Sequence, residues 1–229
     1  MGSDLTVVNA ARVSFDKQSN WDIIGYEEKV YIESRSIERF PIKSLSSRDA
    51  KLIHYLGEHN HWTPFGHPQI TLRETVPIFV ARQRYKHQIG FVYNEVSRRY
   101  VDGDPKFYSP VTWRKRAENK KQGSSKESFE DHLHDEITEA TLGLYEHVLE
   151  IYKGHIEAGV APEQARMVLP QSMYTSYYVT GSLAAWARAY KLRSSEDAQS
   201  EIRDLAAQWD SILADLFPVS WKVLTSAKE

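Results

Sequence analysis

Five cationic side chains lie close together in the segment 82–100, where Glu95 is the only acidic residue. The five are Arg82, Arg84, Lys86, Arg98 and Arg99. The chain as a whole has a formal net charge of −2, so this cluster is a local concentration of positive charge. Because the segment is also rich in Phe, Tyr and Val, removing these cations from water is costly unless an anion binds them. We therefore expect an anionic ligand here.

The same region carries the groups that a nucleotide requires. A helix predicted from Pro77 to about Gln88 places Gln83, Lys86 and His87 on one face, because residues three and four apart are neighbours on a helix. A solvated polar face would explain these three side chains, but not the donors, acceptors and cations that follow in 94–100. Arginine and hydroxyl groups suit a phosphate, whereas amides, carboxylates and aromatic rings suit a heterocyclic base. The segment supplies both sets.

Two further arginines stand nearer the C-terminus. Arg166 lies in the block 165–170, and Arg193 lies in the block 192–202 at a predicted junction between helices. From such a junction a guanidinium can extend into a cleft. The alternative, which stays open at this point, is that Arg193 only offsets the dipole at the C-terminus of a helix.

The composition excludes several kinds of chemistry. The chain contains no cysteine, which removes disulfides, thiolate metal sites, redox pairs and a cysteine nucleophile. The slightly acidic net charge argues against a protein that coats nucleic acid. No apolar run approaches the length of about 20 residues that spans a bilayer, and no secretory signal is visible. We expect a cytoplasmic protein without a membrane partner.

Three histidines form a second cluster, at positions 59, 61 and 67. A metal site would need further ligands, yet no acidic residue lies between His61 and His67 and thiolates are absent. Hydrogen-bonding or capping roles are therefore favoured, and we expect no metal. The chain also lacks a glycine-rich phosphate loop of the Walker or dinucleotide type. Any nucleotide cofactor must be held by another kind of fold.

The hydrophobic periodicity predicts an α+β fold that is dominated by helices, with a small sheet and a single domain over 1–229. Strands are predicted at 69–76 and 173–180. Helices are predicted after a cap at Ser46 or Ser47, from Pro77, up to Gly159, from Pro162, after Ser182, and after Ser194 or Ser195. The long helix before Gly159 has a predicted buried stripe of Leu133, Ile137, Leu144, Val148 and Tyr152. We expect a surface insertion at 16–45, which alternates only weakly and holds no long periodic run, and a mobile loop at 114–127.

Several blocks, taken together and in order, resemble the flavin-dependent thymidylate synthases. They are 9–15, 61–67, 77–100, 107–110, 165–170 and 192–202. The resemblance implies that family's fold, with a mainly antiparallel sheet, and the conversion of dUMP to dTMP. It implies methylenetetrahydrofolate as carbon donor, NADPH as reductant and FAD between them. The absence of cysteine fits, because the other class of thymidylate synthase attacks the uracil ring with a cysteine.

The resemblance also implies roles for individual residues. The set expected to bind dUMP is Gln83, Lys86, Glu95, Ser97, Arg98, Arg99, Arg166 and Arg193. The set expected to contact FAD is Ser14, Thr63, Lys86, His87, Gln88, Glu95, Ser182 and Arg188. The catalytic set is Arg193, which would stabilise the uracil ionised at N3, Ser97 in a positioning role, and His61 near the flavin.

This chain departs from the family pattern in places that concern the flavin. Lys86-His87-Gln88 stands where Arg-His-Arg is usual, Gly66 where a glutamate is common, and Ser182 where an asparagine is common. Lysine keeps the charge without the bidentate fork, and glutamine has no charge. The resemblance further implies a homotetramer whose active sites are shared between subunits.

Two other functions remain open at the level of sequence. One is a single-stranded nucleic-acid-binding protein that uses the basic and aromatic residues of 82–121, which would show a strongly salt-dependent affinity for oligonucleotides. The other is a metal-dependent nucleotide hydrolase that uses the histidines, which would require a metal.

Overall fold

The structure is a computed structural model that describes residues 2–31, 35–101, 103–118, 123–125 and 127–226. It has eight α-helices in this part of the chain: α1 (Asp4–Arg12), α2 (Ser47–Glu58), α3 (Ile78–Arg84), α4 (Asp131–Glu157), α5 (Pro162–Ala165), α6 (Leu183–Arg193), α7 (Ser200–Leu216) and α8 (Pro218–Thr225). Its strands are β1 (Asp22–Tyr31), β2 (Ser36–Ser44), β3 (Gln69–Pro77), β4 (Phe91–Glu95) and β5 (Tyr174–Ser182). The predicted helix-dominated α+β class is confirmed.

The chain forms two compact units. The first comprises Met1–Ile70, Gly181–Lys191 and Gln208–Glu229, and the second comprises Thr71–Thr180 and Leu192–Ala207. The assignment of 1–229 to a single domain stays a prediction. Among the described residues, no helix combines the length and the apolar character needed to cross a membrane, although α4 has 27 residues.

In the first unit, α1 and α2 pack against each other and against α8, which carries the buried Trp221. The Asp4 carboxylate accepts hydrogen bonds of 2.9 Å from the backbone N–H groups of Val219 and Ser220, so it caps the N-terminus of α8 from a distant part of the sequence. Ser46 caps α2 as predicted, since its Oγ accepts from the N–H of Asp49 over 3.1 Å. Side chains thus cap the N-termini of α2 and α8.

The Asp49 carboxylate also joins separate segments of this unit by hydrogen bonds. Its carboxylate accepts hydrogen bonds from the Arg12 guanidinium and from the hydroxyls of Ser19 and Ser46. Burial alone would raise the pKa of Asp49, but the hydrogen bonds from Arg12, Ser46 and Ser19 outweigh it and the pKa lies below its ordinary value. The side chain is 5% exposed, so its charge depends on these partners.

The segment 16–45, for which the sequence predicted a surface insertion and no particular element, contains a long antiparallel hairpin. β1 pairs with β2 from Asp22↔Ser44 to Tyr31↔Ser36, with a bulge between Ile23 and Gly25. Strand prediction depends on one face being buried and the other wet, and here both faces are exposed. Residues such as Val30 therefore lie in solvent and give no alternating pattern.

In the second unit, a three-stranded sheet has the order β3-β5-β4. The predicted strands at 69–76 and 173–180 are confirmed as β3 and β5. β4 was not predicted because it is only five residues long and lies in the polar segment after Gly90. It follows that the residues 91–95 belong to the sheet and not to a loop.

Helix α3 is shorter than predicted. β3 continues through Thr75, whose hydroxyl bonds to that of Ser176, so α3 begins only after Pro77 and ends at Arg84. Beyond it the chain makes tighter turns, with the N–H of His87 bonded to the oxygen of Arg84. Lys86 and His87 thus lie past the helix, and the expectation that they share a regular helical face with Gln83 is wrong.

The two long helices also differ from expectation. Gly159, with φ of 82°, follows α4 as predicted, but of the predicted stripe only Tyr152 is buried and Leu144 is 53% exposed. The periodicity reveals an apolar face without showing what covers it. Helix α7 begins at Ser200 rather than near 195, because the chain first turns with Ala198 N–H bonded to the oxygen of Ser195. Helix α8 was not predicted. The middle of the 114–127 loop, at 119–122 and 126, lies outside the described residues.

We expect Asp49→Asn to lower the free energy of unfolding by about 1–3 kcal/mol at pH 7, because the Arg12 cation loses its counter-charge. A carboxyl whose pKa is lowered by folding stabilises the protein above its unfolded pKa of about 4, and that contribution is lost as pH falls through the folded value. The difference between the variant and the wild type should therefore shrink in acid.

Urea unfolding at pH 7 and at acidic pH measures this difference. Glu28→Gln, which removes an exposed pair with Arg39, is the control and should change stability by less than about 0.5 kcal/mol. A deficit in Asp49→Asn that is the same at both pH values would contradict the assignment.

Candidate active site

Arg193 is the last residue of α6, and its guanidinium is held by two acceptors. Its Nε donates to Nε2 of His87 over 2.8 Å, and its Nη2 donates to the backbone oxygen of Gln83 over 3.1 Å. Because an arginine can only donate, Nε2 of His87 must present a lone pair, so the ring is neutral with its proton on Nδ1. The predicted position of Arg193 at a helix junction is confirmed.

The electrostatics around Arg193 favour a ligand rich in electrons. Burial lowers the pKa of Arg193, and the nearby Arg84 guanidinium lowers it further. Arg193 still remains a cation at neutral pH because an arginine titrates far above it. A part-buried cation beside another cation is stabilised by any negative charge that approaches it.

The side chain of Gln83 belongs to a chain of hydrogen bonds. Its Nε2 donates to Oε1 of Gln199 over 2.6 Å, and Nε2 of Gln199 donates to Oε2 of Glu201 over 2.8 Å. The other carboxylate oxygen of Glu201 accepts from Arg114 over 2.6 Å and from the hydroxyl of Tyr108 over 3.2 Å. Gln83 is thus connected through Gln199 to the ion pair between Glu201 and Arg114.

A cavity of about 310 Å³ lies beside this ion pair. Gln199 and Glu201 form part of its wall, and its aromatic lining consists of Phe79, Tyr108, Trp113 and Tyr145. The Glu201 side chain is only 10% exposed. Hydrogen bonds are stronger in such low-dielectric surroundings, which stabilises those made by the Glu201 carboxylate.

The segment 94–100 leaves β4 in an extended form and then turns. Glu95 accepts a 2.6 Å hydrogen bond from the hydroxyl of Thr175. The Ser97 hydroxyl accepts from the backbone N–H of Arg99 over 3.3 Å and from its Nε over 3.1 Å, while Arg98 donates to the backbone oxygen of Gly103. Ser97 therefore has a cation and not a base beside it, which agrees with a positioning role.

A buried ion pair supports both α3 and β4. Glu74 on β3 accepts from Nε of Arg84 over 3.3 Å and from the hydroxyl of Tyr177 over 2.6 Å. Arg84 also donates to the hydroxyl of Tyr93 over 2.7 Å, and Tyr93 in turn donates to the backbone oxygen of His87 over 2.7 Å. The buried pair thus fixes the backbone at the residue that holds Arg193.

Comparisons of the sequence and of the structure with known proteins agree with each other. The family model described as thymidylate synthase complementing protein matches residues 1–219. The chain is 36% identical over 222 residues to the flavin-dependent thymidylate synthase of Thermosipho africanus (strain TCF52B), which covers 95% of this chain and 84% of that protein. The corresponding enzyme of Thermus thermophilus is also 36% identical, over 96% of this chain and 71% of that protein.

The chain belongs to the flavin-dependent thymidylate synthase family. Solved structures agree with this: the UMP/dUMP methylase PolB from Streptomyces cacaoi, bound with 5-Br UMP, superposes with a TM-score of 0.77 at 28% identity. The match covers 97% of this chain and 89% of that one. PolB bound with 5-Br dUMP gives the same TM-score and covers 98% and 91%.

All eight residues that the family resemblance relates to dUMP belong to the second unit. The structure joins Arg193 to Gln83 and Ser97 to Arg99 by hydrogen bonds. Arg166 follows α5 and is exposed, with its Nε donating to the backbone oxygen of Glu163 over 3.3 Å. Two pairs in this set are thus assembled, and the dUMP-binding roles themselves stay predictions.

The eight residues related to FAD divide between the units. Ser14, Thr63, Ser182 and Arg188 belong to the first, and Lys86, His87, Gln88 and Glu95 belong to the second. Ser14, Thr63, Lys86 and Gln88 are exposed. The Ser182 hydroxyl accepts from the N–H of Ala185 over 3.3 Å, so it caps α6 as predicted. The contact of Ser182 with FAD stays a prediction.

The histidine cluster lies on the surface of the first unit. His61 is exposed, with its ring 6.1 Å from that of His59 and 5.9 Å from that of Tyr55, while Nδ1 of His59 bonds to the backbone oxygen of Tyr55. In the described part of the chain, no group of three or more His, Cys, Asp or Glu residues could hold a metal ion.

Sequence reasoning missed three polar residues of this region. Gln199 and Glu201 lie in the block 192–202 but received no role. Glu74 could have been found, because it occupies an inward position of a strand pattern that includes Ile70 and Val76, where an acid signals a buried partner. Nothing comparable marks Arg84 as that partner.

We expect Glu74→Gln to lower the free energy of unfolding by about 3–5 kcal/mol, because Arg84 is fully buried and would keep its charge without a counter-ion. Urea denaturation measures the change. Asp104→Asn, which breaks the exposed pair with Lys153, is the matched control and should cost less than about 1 kcal/mol. Equal effects of the two substitutions would show that the buried pair does not support the unit.

Proposed function

We propose that this protein is a flavin-dependent thymidylate synthase that methylates dUMP to dTMP in the cytoplasm, with methylenetetrahydrofolate as carbon donor, NADPH as reductant and FAD as cofactor. Family membership supports the reaction class. The observation that carries the assignment to this site is the guanidinium of Arg193, which two acceptors hold beside Gln83 in a chain without cysteine.

Arg193 acts on the uracil ring by electrostatics. Methyl transfer requires C5 of uracil to be nucleophilic, and ionisation at N3 places negative charge on the ring. A preorganised cation stabilises that charge without further reorganisation. Because Arg193 is fixed by His87 and Gln83 and partly buried, its charge is more effective than it would be in water. As the new carbon–carbon bond at C5 forms, a carbon–nitrogen bond of the folate breaks, and the C5 proton then passes to water.

Ser97, Arg98, Arg99 and Arg166 bind the nucleotide rather than take part in bond-making. The arginines offer bidentate donors that suit the phosphate dianion. Arg99 already orders the Ser97 hydroxyl, so the two act as a unit. The exposure of Arg99 and Arg166 supports a site that a neighbouring subunit completes, and we propose a homotetramer with shared active sites.

The donor set expected for FAD fits an anionic dinucleotide. Lys86 supplies a cation, Gln88 an amide, and Ser14 and Thr63 hydroxyls, and all four are exposed. These are the donors that a pyrophosphate accepts from. When bound, FAD supplies the hydride chemistry that this chain's own side chains lack. His61 is the proposed histidine near the flavin.

With FAD, NADPH and methylenetetrahydrofolate added, we expect the protein to form dTMP and to release tritium from 5-tritiated dUMP, and the purified protein to show visible flavin absorbance. A parallel assay with UMP tests whether the protein distinguishes a ribose from a deoxyribose nucleotide, since the similar structures are of a UMP/dUMP methylase. No flavin absorbance and no tritium release would contradict the proposal. A strongly salt-dependent affinity for oligonucleotides in their place would favour nucleic-acid binding.

We expect Arg193→Ala to lower kcat by roughly 10²–10³-fold with little change in the melting temperature, because it removes the charge that stabilises the ionised ring. Arg193→Lys keeps the charge but carries all its donors on one nitrogen, whereas Arg193 reaches His87 from Nε and Gln83 from Nη2. Its kcat should therefore lie between those of the wild type and Arg193→Ala. Arg203→Ala removes an exposed arginine of α7 and should leave kcat unchanged. Turnover of Arg193→Ala at the wild-type rate would remove the assigned role.

A further inference from the structure

The chain of hydrogen bonds that ends at Gln83 has a fixed direction. Arg114, at its far end, can only donate, and an ionised Glu201 can only accept. Gln199 must therefore turn its NH₂ toward Glu201 and its carbonyl oxygen toward Gln83. Gln83 in turn must donate with its NH₂, and the distances of 2.6, 2.8 and 2.6 Å along the chain agree with this order.

The pKa values of Glu201 and Tyr108 set the charge states at the Arg114 end of this chain of hydrogen bonds. Burial would raise the pKa of Glu201, but the hydrogen bonds from Arg114 and Gln199 outweigh it and the pKa lies below its ordinary value. Burial and the neighbouring Glu201 raise the pKa of Tyr108 to about 12, so its hydroxyl keeps the proton that it donates. At neutral pH, Glu201 is an acceptor for three donors: Arg114, Tyr108 and Gln199.

We propose that Glu201 is a positioning residue that, through Gln199, fixes which way the side-chain amide of Gln83 faces. The amide then presents its carbonyl oxygen and one N–H to the nucleotide. This inference rests on the proposed function, because it takes Gln83 to contact dUMP. It adds a role for two residues outside the sets expected to touch substrate or cofactor.

The decisive variant is Glu201→Gln, which preserves shape and removes one acceptor. Arg114 and Tyr108 still donate, so they hold the oxygen of the new amide and its NH₂ turns toward Gln199. Gln199 must then turn its oxygen to that NH₂ and its own NH₂ to Gln83. To accept that bond, Gln83 has to turn its oxygen away from the nucleotide. The substitution therefore reverses the donor and acceptor pattern that dUMP meets.

We expect Glu201→Gln to raise the Kd for dUMP about tenfold, because one polar group of the nucleotide loses its partner. Isothermal titration with the FAD-loaded protein measures Kd directly. Because the ground state and the transition state lose the same contact, KM should rise with Kd while kcat changes little. Asp104→Asn serves as the control for loss of an acid elsewhere in the second unit.

A double variant that exchanges the residues at 199 and 201 distinguishes the proposed effect of Glu201 on the orientation of Gln83 from a purely structural role of Glu201. Gln199→Glu combined with Glu201→Gln places an acceptor-only carboxylate next to Gln83 and an amide next to Arg114, so Gln83 again has to donate. We expect the double variant to restore dUMP affinity to within about threefold of the wild type. A structural account, in which Glu201 matters only as the partner of Arg114, predicts no rescue, because the ion pair stays broken.

If Glu201→Gln does not fold, Gln199→Met is the second variant. It interrupts the series of hydrogen bonds between Glu201 and Gln83 while leaving the pair between Arg114 and Glu201 intact, and should weaken dUMP binding several-fold. Unchanged Kd in a folded Glu201→Gln or Gln199→Met protein, or no rescue in a folded double variant, overturns the inference while the proposed function stands. A wild-type protein that binds no dUMP overturns both.

Discussion

The buried charge of Arg84 is the constraint on which the rest of the second unit depends. A cation with no exposure needs a carboxylate and further acceptors, and these come from different elements: Glu74 on β3 and Tyr93 on β4. Satisfying one guanidinium therefore fixes two strands against α3. Tyr93 also restrains the backbone beyond α3, because its hydroxyl donates to the backbone oxygen of His87.

The candidate site is built outward from that pair. His87, held at its backbone by Tyr93, offers a ring nitrogen to Arg193, and the end of α3 offers the backbone oxygen of Gln83. The two cations, Arg84 and Arg193, are close enough to lower the pKa of Arg193. Such like charges are tolerated where the site is completed by an anion or by an electron-rich ring. Of the arginines that the sequence singles out, Arg84 is thus structural, whereas Arg193 lies where a ligand could meet its charge.

Local signals predicted much of the frame correctly. Ser46 and Ser182 were recognised as caps because a hydroxyl before a helix has a definite partner, and Gly159 as a stop because its positive φ favours glycine. The family blocks led to the reaction class because chemistry constrains residue type. The end of α3 at Arg84 was missed, since the turn beyond it depends on the distant hydroxyl of Tyr93.

Other features depend on partners that sequence cannot display. The hairpin of β1 and β2 is exposed on both faces and lacks the alternation that marks a strand, and α4 shows an apolar face that is mostly not buried in one chain. Gln199 and Glu201 became informative only when their neighbours were known.

The central claim is that Arg193 and Gln83 face the uracil ring. The most direct test is a crystal structure of the protein with FAD and dUMP. We expect the Arg193 guanidinium and the Gln83 side-chain amide to lie within hydrogen-bond distance of the pyrimidine, with arginines on the phosphate. A dUMP molecule bound with its base away from both residues would contradict it.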